Sequence, residues 1–319
     1  MSGGGPGEGN LRDSIGVTGE GVLPDGLRIG AFRDGMLAYE FVPQPDLSFR
    51  DWRAVRVQII NAHLACLKAS KAEDSYMAAA TGDTVAPVIF ESGDIINTWG
   101  HLGVMLLSLA RARRESPTEF GDWRFIRTSP TVTASELMWS YHLLSQLLGS
   151  PHRKETLLYA ELLVRAQAAL SVYDNGGALV YAWTAAEGML RSMFARWIDE
   201  CADSQNAGVD DQGNARDFLD SARRRGLLQG KMTSWHMAEM LSLVGRLPYG
   251  LYRTIRTCET ARNKWLHNQD LNSLQHAPSA ISSAQELLNL AEGIDLRSCP
   301  TAGGGATQVR RAGASRCKR

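Results

Sequence analysis

The sequence predicts a mainly α fold: a C-terminal bundle of helices preceded by a smaller mixed α/β region that carries a β-hairpin. Two patterns and their punctuation predict it. From about residue 133, apolar residues recur at three- and four-residue spacing in seven segments, 133–148, 154–172, 178–201, 215–226, 232–246, 249–270 and 276–295. Pro151, Asn175-Gly176-Gly177, Gly208, Gly226, Pro248 and Pro278 fall at or near their junctions, where turns and helix starts are expected. Upstream, Leu27, Ile29 and Ala31 alternate before Asp34-Gly35, and Leu37, Tyr39 and Phe41 alternate after it. That is the pattern of two strands joined by a tight primed turn.

Taken in chain order, residues 1–26 carry nine glycines and few large apolar side chains, so they are expected to form a disordered tail. Residues 27–150 form the mixed region. After the hairpin, Asp51 is placed to cap a helix reaching about Ala72, with Val55, Ile59, Ala62 or His63, and Cys66 on one face. Val85–Phe90, Asp94–Trp99 and Trp123–Arg127 suggest short strands, and Leu102–Arg113 a helix. Residues 151–297 make the helical domain, with Pro278 suited to the first turn of its last helix. Residues 298–319 are expected to be a second disordered tail, basic through Arg310, Arg311, Arg316, Lys318 and Arg319 with no acid.

Composition removes several function classes. With 44% hydrophobic and 21% charged residues the chain is an ordinary globular one, and 34 Lys+Arg against 34 Asp+Glu leave no global field drawing it to nucleic acid. Cys66, Cys201, Cys258, Cys299 and Cys317 are scattered without metal or disulfide spacing, which suits a reducing compartment. With no secretory leader pattern and no apolar run of membrane-spanning length, a cytoplasmic location is expected. Walker, HExxH and GxSxG signatures are missing, and the seven histidines show no paired metal spacing, so no metal or cofactor is expected.

One helix carries chemistry. Over 249–270, Leu251, Ile255, Cys258, Arg262 and Trp265 step by 4, 3, 4 and 3, which places a guanidinium in an apolar stripe. Helix 178–201 runs Leu179, Trp183, Ala186, Leu190, Phe194 and Trp197, with Glu187 beside that stripe. Charges facing packing surfaces are tolerated when paired, so a Glu187–Arg262 ion pair is the simplest structural account. Asn263 and His267 lie one turn apart on one helix face, with Arg262 about 140° from His267 around the axis. Arg253, Arg256, Arg262 and Lys264 meet only Glu259 as an acid, making a local positive patch.

Arg262-Asn263-x-x-x-His267 resembles the R-[polar]-x-x-x-H signature of the HEPN superfamily, helical-bundle domains many of which are metal-independent ribonucleases of toxin–antitoxin, antiviral and RNA-processing systems. The stretch ALVYAWTAAEGMLRSMFARW, 178–197, resembles the family's earlier core helix, with its acid at Glu187. The resemblance covers about 155–295. It implies an HEPN-like bundle that dimerises so that two motifs form one cleft, a role as a toxin or antiviral-defence effector, and RNA as substrate. It further implies cleavage without metal, by attack of the 2′-hydroxyl, to a 2′,3′-cyclic phosphate and a 5′-hydroxyl. Arg262 would clamp the phosphate, His267 would move the protons, Asn263 would orient a phosphate oxygen or His267, and Glu187 would hold Arg262 or tune its surroundings. Lys264 and Arg256 would add contacts to RNA. An antitoxin or regulatory partner fits the same picture, and the 27–150 region would then sense, restrain or target the nuclease.

The same residues carry plainer readings. A helix-end His267 interacts with the dipole, Lys264 is solvated, and Cys258 and Trp265 pack. His63 and His142, on apolar helical faces, read as satisfied core histidines. The alternative function is a non-catalytic helical module for dimerisation or for nucleotide or nucleic-acid binding.

Overall fold

The computed structural model describes residues 17–32, 37–42, 44–70, 80, 88–91, 94–97, 133–205, 212, 221–229 and 232–297. Three antiparallel strands, β1 (Val17–Val22), β2 (Arg28–Phe32) and β3 (Leu37–Glu40), form one sheet in that order. β2 and β3 are the expected hairpin, with Ala31 opposite Leu37 and Ile29 opposite Tyr39; the Asp34-Gly35 turn lies outside the described residues. The first helix, α1 (Phe49–Ser70), follows. β4 (Val88–Glu91) and β5 (Asp94–Asn97) pair antiparallel near the two strands expected there. The expected helix 102–113, the strand 123–127 and the basic tail 298–319 lie outside the described residues.

The helices then come nearly where the periodicity puts them: α2 (Ala134–Gly149), α3 (Arg153–Ser171), α4 (Asn175–Gln205), α5 (Ser221–Gln229), α6 (Ser234–Leu243), α7 (Tyr249–Asn268) and α8 (Ala277–Glu292). A 3₁₀ turn, Leu271–His276, joins α7 to α8. α4 is the central rod, packed by α3, α8, α7 and α6, while α1 lies on α2 and α3. The buried apolar residues form one cluster from Leu23 to Leu296, so α1 and α2, from before residue 150, share a core with the bundle after it.

Local chemistry explains the helix starts. Thr133 caps α2 with a full capping box, its hydroxyl accepting from the Glu136 backbone N–H while Glu136 answers to the Thr133 N–H at 2.7 Å. At α1 the capping hydroxyl is Ser48 rather than Asp51. Ser48 Oγ accepts the Asp51 N–H at 3.2 Å and donates to the Asp51 carboxylate at 2.6 Å, which places Asp51 in the first turn. Pro278 sits in the first turn of α8 as expected.

The glycine-rich N-terminal stretch departs from expectation. Its residues from Val17 onward are strand and turn, and the glycines are there for close approach. A Cβ at Gly19 would come within 2.8 Å of Leu137, and one at Gly21 within 2.6 Å of the Tyr141 ring. Backbone without side chains lets β1 lie against α2. The same device sets the α3–α4 crossing, where a Cβ at Gly188 would meet the Tyr159 ring at 2.7 Å. Gly188→Val is therefore expected to lower stability by about 1–3 kcal/mol. Gly226→Ala, on a helix position with open space around it, is expected to raise stability by about 0.5–1 kcal/mol. Urea unfolding of both variants checks the pair, and equal effects would remove the close-approach argument.

Beneath the sheet lies a buried polar chain. His63, with no exposed surface, meets Tyr39 Oη at 2.8 Å through Nδ1 and Ser140 Oγ at 3.1 Å through Nε2. Ser140 spends its single hydrogen on the Leu137 carbonyl at 2.7 Å, so it accepts from Nε2–H and Tyr39 donates to Nδ1. His63 is a satisfied core histidine, as its apolar face suggests. His142 is not: it is exposed, stacked on Trp139 and bonded to Gln146 at 3.0 Å. One position along α2 turns it away from the core.

Candidate functional site

α7 is positioned by Leu251, Ile255, Cys258 and Ala261, all buried against the bundle. Ala261 takes the deepest place in the last turns, and Arg262, next to it, is half-buried at the edge of the stripe. Its Nε is buried with no hydrogen-bond partner, and its Nη1 donates to Asn263 Oδ1 at 2.8 Å. Those two motif residues are thus in contact. His267 is exposed in the last turn of α7. Trp265 packs on the core and on the start of α4, where a Cβ at Gly176 would lie 2.9 Å from its ring.

Glu187 does not take the place expected for it. Its Oε1 accepts from Ser234 Oγ at 2.8 Å and from Arg191 at 3.3 Å, so the carboxylate ties α4 to α6 and to its own helix. Among the described residues no ion pair joins Glu187 to Arg262. The acid near both is Glu259. Burial raises its pKa first; Arg256, Arg262 and His236 oppose that rise while Glu187 adds to it. In the sequence Glu259 is the one acid of the basic helix, about one turn before Arg262, and it lies off the apolar stripe that singles out Arg262.

Arg256 and Lys264 line a polar groove of about 350 Å³ between α7 and the 3₁₀ turn, together with Thr260, Asp270, Asn272 and His276. Arg256 is held there by its neighbours: its guanidinium lies 4.6 Å from the centre of the Trp235 ring and donates to Tyr252 Oη at 3.2 Å. Tyr252 in turn donates to Glu239. Trp235 and Tyr252 are functional candidates that carried no motif signal. A groove of about 470 Å³ lies between α1 and α3, beside Arg50, Arg53 and Arg165, remote in sequence from the motif.

Cys66 and Cys258 are buried free thiols, and Cys201 is half-buried. Burial pushes the Cys258 thiol up to about 11, which keeps it protonated and inert as packing. Among the described residues no group of three His, Cys, Asp or Glu side chains is gathered to hold a metal ion. No helix among them is long and apolar enough to cross a membrane.

No protein-family model, no curated protein and no solved structure matches this chain.

Proposed function

We propose that the chain is a metal-independent RNA endonuclease of HEPN type, acting as a toxin or antiviral-defence effector. The observation that carries this reading is the end of α7, where an exposed His267 accompanies an Arg262–Asn263 pair whose guanidinium has a buried, unpartnered Nε. A guanidinium with one buried donor unused is costly in a scaffold, and its remaining donors are apt for a phosphate. The cationic groove through Arg256 and Lys264 gives the adjoining strand a path.

Within one chain Arg262 and His267 leave α7 about 140° apart, so the catalytic centre is composed from two copies, with both motifs around one phosphate. His267 takes the proton from the 2′-oxygen and its counterpart protonates the leaving 5′-oxygen. Arg262 meets the charge that builds on the phosphorane. Asn263 holds the Arg262 guanidinium in one orientation. The toxin or defence role, with its antitoxin or regulatory partner and a cytoplasmic setting, comes from the sequence resemblance.

The test is an RNA oligonucleotide cut by the purified protein. Expected products end in 2′,3′-cyclic phosphate and 5′-hydroxyl, EDTA leaves the rate unchanged, and a single 2′-deoxy sugar at the cut site blocks cleavage there. Cleavage of the deoxy substrate at full rate would replace this mechanism with a water-using one. RNA left intact would favour the non-catalytic helical module.

A further inference from the structure

Four described helices end in a left-handed residue, at the cap in α7 and α8 and just past it in α3 and α6, where glycine is the ordinary choice. α6 uses Gly245 at φ 74° and α8 uses Gly293 at φ 73°. α3 and α7 do not: Tyr173 stands there at φ 63° and Gln269 at φ 52°. The α3 end is a full Schellman turn, with Tyr173 N–H donating to the Leu170 carbonyl at 3.1 Å and Asp174 N–H to the Ala169 carbonyl at 2.9 Å. A side chain in this conformation is strained, and an aromatic one is a true outlier. Tyr173 has no packing to compensate, since it is 90% exposed and Val172 beside it is 57% exposed.

Both positions that refuse glycine lie at the motif end of the bundle. Gln269 follows His267 by two residues, and the turn holding Tyr173 leads directly into Gly176, which rests on Trp265 of α7. The 3₁₀ turn that lines the cationic groove also packs on both α7 and α4. An exposed aromatic ring at the same end of the bundle as a basic groove supplies the two elements by which single-stranded nucleic acid is held: bases stack and phosphates follow the charge. The charge favours this over a protein surface, because Arg253, Arg256, Arg262 and Lys264 surround a single acid, Glu259, on α7, and in the groove Arg256 and Lys264 face Asp270 alone among the acids of its lining.

We infer that Tyr173 is the stacking face of a nucleobase subsite, taking an unpaired base of the RNA strand next to the one cut at the motif. This rests on the RNA reading above. Tyr173 contributes to binding and to where the strand sits, with no part in proton transfer. Its distinguishing property is that function and stability oppose each other at one residue, because glycine relieves the backbone while removing the ring.

The experiment measures binding of a labelled single-stranded RNA with 2′-O-methyl sugars, which cannot be cut, by fluorescence anisotropy for the full-length protein and its Tyr173→Gly and Tyr173→Phe variants. Tyr173→Gly is expected to bind about 5- to 100-fold more weakly while its melting temperature rises by about 1–3 °C. Tyr173→Phe, which keeps the ring, is expected to bind like the parent. Undiminished binding by Tyr173→Gly, with the parent binding well, overturns the subsite alone. A parent that does not bind the oligonucleotide overturns the RNA reading and the subsite with it. A fall in assembly mass of Tyr173→Gly by light scattering would also overturn it, making the ring part of a contact between copies.

Discussion

Alanine at His267 is expected to reduce RNA cleavage by about 10²- to 10⁴-fold, the range for loss of a positioned general acid or base. The fold should be unchanged, because the imidazole is exposed at the end of α7 and carries no core packing. Arg262→Ala is expected to lose about 10²- to 10³-fold through the charge on the phosphate. Arg262→Lys should recover only part of that, since an ammonium cannot present two parallel donors. Neither substitution opens the bundle: Arg262 sits at the stripe's edge, and Ala261 beside it keeps the buried contact. Single-turnover kinetics on an oligonucleotide, with circular dichroism melts alongside, measure both effects. In cells, expression of the parent chain should degrade RNA and slow growth while His267→Ala does neither. Parent and His267→Ala proteins that cut at the same rate would end the case for the motif. If instead both are inert, the helical-module reading gains.

How far the sequence revealed this arrangement depended on the kind of signal. The helices after residue 133 were legible because burial on one side imposes a 3.6-residue period, and Leu179, Trp183, Ala186, Leu190 and Phe194 are all buried as that period requires. β1 was hidden because its glycines read as disorder, whereas their meaning is the contact with Leu137 and Tyr141, which are more than a hundred residues away. Such a contact has no local trace. The motif residues were found by spacing, and the Arg262–Asn263 bond follows from their adjacency. Glu187 was placed correctly beside its stripe and given the wrong partner. Its helix faces Ser234 of α6 as well as α7, and a hydroxyl supplied by another helix is invisible to periodicity. Tyr173 illustrates the opposite failure: its signal is the lack of glycine at a helix end, which can be read only once the backbone dihedral is known.

Acidification is expected to weaken the fold through His63, well away from the motif. Burial alone pulls this imidazole from its ordinary 6.5 down to about 3. Burial likewise raises the Tyr39 and Cys66 groups near it, so the surroundings offer no charge to welcome a proton. Both nitrogens are already committed, one to Tyr39 and one to Ser140, and Ser140 has no second hydrogen to rearrange. In the unfolded chain the imidazole takes up a proton below 6.5, whereas in the folded chain it stays neutral until about 3. Stability is therefore fully present above 6.5 and lost as the pH falls through that window, at about 1.4 kcal/mol for each pH unit. At pH 4 the loss from His63 is about 3 kcal/mol, a large fraction of what holds an ordinary domain. His63→Gln removes the titrating group. The variant is expected to be less stable than the parent at pH 7 by about 1–3 kcal/mol, from poorer hydrogen bonding at a buried site. Its further loss on going to pH 4 should be smaller than the parent's by the contribution His63 no longer makes. Urea unfolding of both proteins at the two pH values reads this directly, because carboxylates elsewhere titrate equally in both. The gap between them should close by about 3 kcal/mol at pH 4; a gap that stays constant would mean that His63 takes up its proton in the folded protein as readily as in the unfolded one.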